Sequence, residues 1–257
     1  MKLQFVIPAY KESPYLEECI YSLLAQEDHA EILICTSTPS TFLDVISKKH
    51  NIPLLINENG QQGIASDWNF SYQNTTADLV VIAHQDDIYL PNFSQKAKAI
   101  FLENPQMGIA FTDCLELLDG QVMAWHNRGL VKKLIRELAF LGLDVTQNQL
   151  RLKILLSFGC PISCPSVIFN KKKLNSFSFS SRFQINLDWD AWTRLSESNV
   201  MFGYIRKRLC IHRVHPESEN QVSLKDGRRL DEDLQMFGRF WSPWMVKFIS
   251  TLYRYGY

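Results

Sequence analysis

The chain has 257 residues, 46% of them hydrophobic and 12% aromatic, which is enough apolar material for one large core and unlike the composition of a disordered protein. Lysine plus arginine and aspartate plus glutamate both number 27, so no overall field draws the protein to a polyanion; nucleic acid is excluded as a first partner and any charge chemistry must be local. No apolar run reaches the ~18 residues of a spanning helix, and the start MKLQFVIPAY lacks a basic region followed by an apolar stretch and a cleavage site. The sequence therefore predicts a cytoplasmic protein that does not cross a membrane.

Strand-like and helix-like segments alternate from the start. Residues 3–7 are a short apolar run stopped by Pro8. Ser13 and Pro14 then supply an N-cap and a first-turn proline for a helix marked by Leu16, Ile20, Leu23 and Leu24. Residues 31–35 read as a second strand, 41–50 as a helix and 53–56 as a third strand. A helix opened by Gly63 follows, then a fourth strand at 79–83 and a helix over 93–104. Such a series implies a mostly parallel α/β sheet with helices on both faces. Beyond Met107 the spacing predicts a strand at 108–112, amphipathic helix over 130–157, a strand at 166–170 and a helix over 188–198. Two short strands, at 202–205 and 209–213, complete this half. The six cysteines, Cys19, Cys35, Cys114, Cys160, Cys164 and Cys210, read as reduced core residues, and Cys160-x-x-x-Cys164 has no second pair to complete a zinc site.

In sheets of this kind ligands bind where loops leave the carboxyl ends of the strands. That rule puts PAYKES, TSTPS and AHQDDIYLP on one rim. The last of these places a histidine, a glutamine and two adjacent carboxylates directly after a buried apolar strand, an expensive arrangement unless it holds a ligand or a cation.

Five strings in order, FVIPAYKESPYLEECIYSLLAQ, GIASDWNFSYQNTTADLVVIAHQDDIYLP, SVIFNKKKL, LDWDAWTRLSE and HRVHPES, resemble the motifs of the family 2 glycosyltransferases over residues 3–220. The resemblance implies a GT-A (Rossmann-like) fold with a helical C-terminal tail. It also implies an inverting transfer of sugar from a nucleotide-diphosphate donor to an acceptor hydroxyl, with a divalent cation, manganese or magnesium. A nucleoside diphosphate leaves poorly until its charge is neutralised, which is why such a site needs a hard cation on oxygen ligands. By resemblance the donor meets Pro8, Ala9, Tyr10 and Glu12 of the first loop, Thr36 after the second strand, Gly63 and Asp67 of the third helix, and His84, Gln85 and Asp86. Asp86 and His215 are assigned to the cation, and Asp87 turns inward to hold the loop.

Two positions depart from the family pattern. His84 stands where an aspartate commonly begins the motif; imidazole can meet a ribose hydroxyl or a transition metal, but is a poor magnesium ligand. Thr36 stands where an aspartate commonly reads the nucleobase, so the base stays open. In LDWDAW, Asp188 aligns with the family's catalytic base, with Asp190 as the competitor, and Trp189 and Trp192 offer aromatic faces for a sugar on the acceptor side. In HRVHPES, Arg213 is placed to pair with phosphate oxygens, while His212 alternates to the opposite face and reads as structural.

The chain divides by composition into a catalytic domain, 1–225, and an extension, 226–257. Residues 234–257 hold eight aromatics, the basic residues Arg239, Lys247 and Arg254, and no acid. That composition suits the headgroup region of an anionic membrane and a peripheral site at its inner face, serving a glycan or lipid-linked acceptor of surface-polysaccharide assembly. The other reading packs Leu234, Phe237, Trp241, Met245 and Phe248 onto the domain or a second subunit of a homodimer, with Pro243 bending the chain. Two other functions compete: a catalytically impaired nucleotide-sugar binding paralogue, because His84 and Thr36 break the pattern, and a sugar nucleotidyltransferase, which the absence of glycine from PAYKES disfavours.

Overall fold

Strand β1 (Leu3–Ala9) shows why the first half folds as it does: Phe5 and Ile7 face one side of the sheet and Val6 the other, and all three are fully buried. A strand covered on both faces needs no polar alternation. The computed structural model describes residues 1–59, 63–123 and 127–254. After β1 come α1 (Leu16–Leu24), β2 (Glu31–Thr36), α2 (Thr41–His50), β3 (Leu54–Ile56), α3 (Ile64–Gln73), β4 (Leu79–Ile82), β5 (Ile88–Tyr89) and α4 (Phe93–Glu103). The second half runs β6 (Ile109–Leu118), β7 (Gln121–Met123), α5 (Asn127–Phe140), β8 (Val145–Thr146), α6 (Gln149–Ser157), β9 (Val167–Asn170), α7 (Leu187–Glu197), β10 (Phe202–Val214), α8 (Glu219–Asp226), α9 (Arg228–Phe237) and α10 (Pro243–Arg254).

The strands form one sheet in the order β3-β2-β1-β4-β9-β6-β10-β5. Pairing is parallel from β3 through β4 and again between β6 and β10, while β9 is inserted antiparallel between β4 and β6. This is the α/β architecture expected, with a mixed but mostly parallel sheet. Helices α1, α2 and α4 cover one face, and α3, α6, α7 and the C-terminal helices cover the other.

Several sequence-based boundaries move. Helix α1 starts at Leu16, because Ser13 is spent on a tight turn: its Oγ accepts from the Tyr15 amide at 3.3 Å and its carbonyl from the Leu16 amide. The single helix expected over 130–157 is two, since Leu141 and Gly142 adopt left-handed backbone (φ 48° and 81°) and turn the chain, and the Asn148 side chain caps α6. The two short strands near the end are one strand, β10, broken in register near Ile205 and Arg208 rather than in direction. Cys114 and Cys210, expected to be reduced, are paired as a disulfide: parallel register sets them opposite each other on β6 and β10 with a Cα separation of 4.9 Å. Ninety-six residues separate them, and nothing local in the sequence announces the pairing.

The C-terminal helices are part of the core. Met236 and Phe237 are fully buried and Ile249 nearly so, while Trp241 and Met245 pack partly against them. Phe248, expected to pack inward with these, is exposed instead, because Ile249 takes the inward position on α10. Pro243 opens α10, and the tail residues 255–257 lie outside the described residues. Phe237→Ala is expected to cost about 3–5 kcal/mol in urea unfolding, the penalty of a fully buried aromatic in a packed core.

Candidate active site

The loops at the carboxyl ends of β1, β2 and β4 are tied to one another. Pro8 and Ala9 end β1, and the backbone of Tyr10 exchanges two hydrogen bonds with the Gln85 side chain, at 3.0 and 3.1 Å, locking the first loop to the fourth. Lys11 has left-handed backbone (φ 57°), and its amide donates to Thr38 Oγ1 at 2.6 Å. Gly63, at φ 115°, occupies a conformation that side chains rarely adopt and starts α3. One turn on, Asp67 accepts from Ser37 Oγ at 3.0 Å and from Asn57 Nδ2 at 3.3 Å. Thr36, which stands at the base-reading position, is buried, and its hydroxyl accepts the Thr38 amide at 3.0 Å, closing its own turn. Glu12 lies exposed on the loop after β1.

The acidic motif after β4 is held by β10. Asp87 has no exposed surface, and its Oδ1 accepts the Arg213 amide at 2.9 Å and meets His212 Nδ1 at 3.0 Å. Burial works to lower the His212 imidazole, but the charge and hydrogen bond of Asp87 override it and push it up to about 9. Burial works to raise Asp87, yet His212, His84 and the Arg213 amide hold its carboxyl below the usual range. Asp86 turns the other way, its Oδ2 meeting His215 Nε2 at 3.1 Å. Arg213, expected at a phosphate, is committed to protein: its Nε donates to the Asp86 carbonyl at 3.0 Å, its other arm pairs with Glu18, and its guanidinium lies 4.4 Å from the centre of the Tyr15 ring.

His84, Asp86 and Asp87 present ligand atoms within 4.8 Å of one another, the one such cluster of three among the described residues. His84 Nε2 and Asp87 Oδ2 are buried without a hydrogen-bond partner, as expected of atoms facing a ligand. Two carboxylates and an imidazole fit a divalent transition metal such as manganese better than magnesium. The His84 ring also lies against Trp68, with centroids 5.0 Å apart, which fixes its plane.

Asp188 sits in the first turn of α7, half-buried, with Oδ1 accepting the Trp189 amide at 2.6 Å. Burial raises its carboxyl above the ordinary range, against the opposing charges of Arg229, His84 and Lys132. His84 and Asp188 are thus within electrostatic reach. The acceptor-side residues read from the sequence are not there. Trp189 is fully buried, donates from Nε1 to the Leu156 carbonyl at 2.9 Å and packs on Phe237, so its ring offers no face to a sugar. Trp192 is buried likewise, and Asp190 is clamped between Arg194 and Arg239, each at 2.8 Å. A polar cavity next to His212 lies between α5, β6 and β10 instead, lined by Asp113, Lys132, Lys133, Arg136 and Arg208 among others.

What positions α7 was not legible in the sequence. The Glu232 carboxylate, on α9, accepts the backbone amides of Gln184, Ile185 and Asn186 at 2.8–2.9 Å, and the adjacent Asp233 accepts from Asn186 Nδ2 at 2.8 Å. The entry to the helix that carries Asp188 is therefore set by the C-terminal extension. Only the paired acids Glu232-Asp233 in an otherwise amphipathic segment could have hinted at it.

Residues 4–114 match the model of the family described as Glycosyl transferase family 2. No curated protein gives a significant sequence match. Among solved structures, the chain is similar to S. aureus TarS 1–349 in complex with UDP-GlcNAc, with TM-score 0.64 and 16% identity over 93% of this chain and 71% of that one. It spans only 39% of a longer TarS structure. It is similar to the mannosyltransferase PcManGT from Pyrobaculum calidifontis in complex with GDP-Man and Mn2+, with TM-score 0.63 and 16% identity over 93% and 63% of the two chains. It also resembles the Mycobacterium tuberculosis glucosyl-3-phosphoglycerate synthase in complex with Mn2+ and UDP-Glc, with TM-score 0.59 and 17% identity over 92% and 79%. At these identities the likeness establishes a shared GT-A-like fold.

Two outcomes check this geometry. His212 titrates higher folded than unfolded, so its pairing with Asp87 stabilises fully below pH ~6.5 and fades as the pH rises through about 9. In metal-free protein, the melting-temperature gap between wild type and His212→Gln should be wide at pH 6 and narrow toward pH ~9.5. Glu232→Ala leaves three amides without their acceptor and is expected to cost about 1–3 kcal/mol in urea unfolding, with Glu232→Gln recovering part of it.

Proposed function

We propose that the protein is an inverting glycosyltransferase that moves a sugar from a nucleoside diphosphate donor to an acceptor hydroxyl. The observation that carries this reading is the pair of buried atoms without a hydrogen-bond partner, His84 Nε2 and Asp87 Oδ2, the latter 3.7 Å from His84 Nδ1, beside Asp86 and within electrostatic reach of a carboxylate of raised pKa, Asp188. A divalent cation bound by Asp86, with His84, Asp87 and His215 around it, would neutralise the diphosphate and make it a leaving group. The chain's own residues do the rest. The Tyr10–Gln85 link and the end of β1 shape the floor for the nucleoside, and Asp67, aimed between Ser37 and Asn57, supplies the acceptor edge for the base or ribose that the inward Thr36 does not. Asp188 takes the proton of the attacking hydroxyl. A carboxylate raised by burial is a better base than a solvated one.

The cavity lined by Lys132, Lys133 and Arg208 gives the acceptor a polar approach next to His212. The similar structures, solved with UDP, UDP-GlcNAc, UDP-Glc or GDP-Man and some of them with Mn2+, support a nucleotide-sugar donor and manganese. Surface-glycan assembly on the cytoplasmic side is the role this chemistry fits best. An impaired paralogue is the second reading, favoured by the inward Thr36, and turnover separates the two.

Asp188→Asn is expected to lower turnover ~10²- to 10⁴-fold while nucleotide binding in manganese stays unchanged, as measured by donor hydrolysis and calorimetry. Wild-type turnover in this variant would remove Asp188 from the role. Asp86→Ala is expected to abolish the manganese-dependent part of the thermal shift given by UDP or GDP; an unaltered shift with both would place the cation elsewhere.

A further inference from the structure

The most unusual surface of this protein lies away from the site. On α5, Leu130, Val131, Leu134, Leu138 and Leu141 at its end are all exposed, Leu134 at 60% and Leu138 at 53%. At about 100° per residue these five fall within one arc of about 100°. The opposite face of the helix is the buried one, with Arg136, Ala139 and Phe140. A helix of a soluble domain ordinarily turns its leucines inward; here both faces are apolar, and one of them is bare. Helix α6, packed beside α5, repeats the pattern with Leu150 (67% exposed), Ile154 and, one residue past its end, Phe158, again along one side. Phe158 touches Trp241, ring centroids 5.1 Å apart, and Trp241 Nε1 donates to the Ser157 carbonyl at 2.6 Å, joining α6 to the start of α10. Helix α10 adds Trp244 (70% exposed) and Phe248.

The charge on these helices identifies what covers them. In a chain with 27 basic and 27 acidic residues, α6 and α10 together carry four lysines and arginines and no acid. On α5 the bases Lys132, Lys133 and Arg136 lie on the side away from the leucines, and its one acid, Glu137, is paired with Arg206 at 3.0 Å. A second copy of the chain would bring the same basic set of α6 and α10 against itself. An anionic bilayer offers a hydrocarbon boundary for the leucines and tryptophan and headgroup charge for Arg151, Lys153 and Lys247. No helix among the described residues is long and apolar enough to cross a membrane, so the contact would lie in the plane of the interface.

We propose that α5, α6 and α10 form a docking surface for an anionic lipid bilayer. The sequence placed lipid contact in the tail alone; the structure buries Met236, Phe237 and Ile249 of that tail and recruits the α5–α6 pair from far upstream in the chain. Because the inner flank of α5 contributes Lys132, Lys133 and Arg136 to the cavity beside His212, docking would set that cavity next to the membrane, where a lipid-linked acceptor presents its sugar. The docking itself does not depend on the transferase reading.

Flotation of the full chain with phosphatidylcholine vesicles, with and without about 30% phosphatidylglycerol, tests it. The wild type is expected to float with the anionic vesicles and much less with the neutral ones. Leu134→Glu/Leu138→Glu and, separately, Leu150→Glu/Trp244→Glu are expected to weaken binding about tenfold or more. All four side chains are exposed, so melting temperature and manganese-dependent nucleotide binding should not change. Absence of flotation in the wild type, or equal flotation of both variants, overturns the proposal. So does a wild-type dimer in sedimentation that the same substitutions dissociate, since a second copy would then own the face. Neither result touches the assignment of Asp86 or Asp188, which is read from nucleotide binding and turnover.

Discussion

A single buried carboxylate connects the two halves of this protein. Asp87 ends the parallel half of the sheet, and its ligands, the His212 imidazole and the Arg213 amide, come from β10, more than 120 residues later. A buried carboxylate without partners would be neutralised or expelled; paired as it is here, it stays charged and fixes the loop that presents His84 and Asp86. Removing one partner would leave an uncompensated charge in the interior, so neither half can be altered at this point without the other.

Helix α7 is held by a second long-range device of the same kind. Asp188 lies on it, but the amides that open that helix are bound by Glu232 from α9, and Arg239 binds Asp190 in its first turn and Glu197 at its end. An anion set against the free amides at a helix start is favoured both by hydrogen bonding and by the helix dipole. The C-terminal extension is therefore structural in the strict sense that α7, which carries Asp188, takes its entry angle from it. The aromatic pair Trp189–Phe237 adds the apolar half of the same contact. Helices α5, α6 and α10, each with exposed apolar side chains, serve the core on one face and solvent-facing surface on the other.

What was legible in the sequence was what is local. Five-residue apolar runs named the strands, apolar spacing named α1 to α4 and α7, and the clash of His84, Asp86 and Asp87 with the buried strand before them named the cation loop. Where a residue has two plausible fates, the sequence left both open. Trp189, Trp192 and Asp190 could have faced an acceptor or the core, and the packing of α9 against α7 takes the tryptophan surfaces while two arginines take the carboxylate. Thr36 could donate or accept toward a base, and its hydroxyl closes its own turn.

By itself, then, the sequence determined the periodicities, the order of elements and the chemistry of the rim, since these depend on neighbours within a turn or a strand. Tertiary structure decided every pairing across the sheet: Asp87 with His212, Cys114 with Cys210, Glu232 with the start of α7, and which of the leucines of α5 are bare. Those choices depend on which distant segment arrives against which face, and on the burial that follows. Neither the register of β6 on β10 nor the direction of the turn at Leu141 and Gly142 is written in any local window of residues.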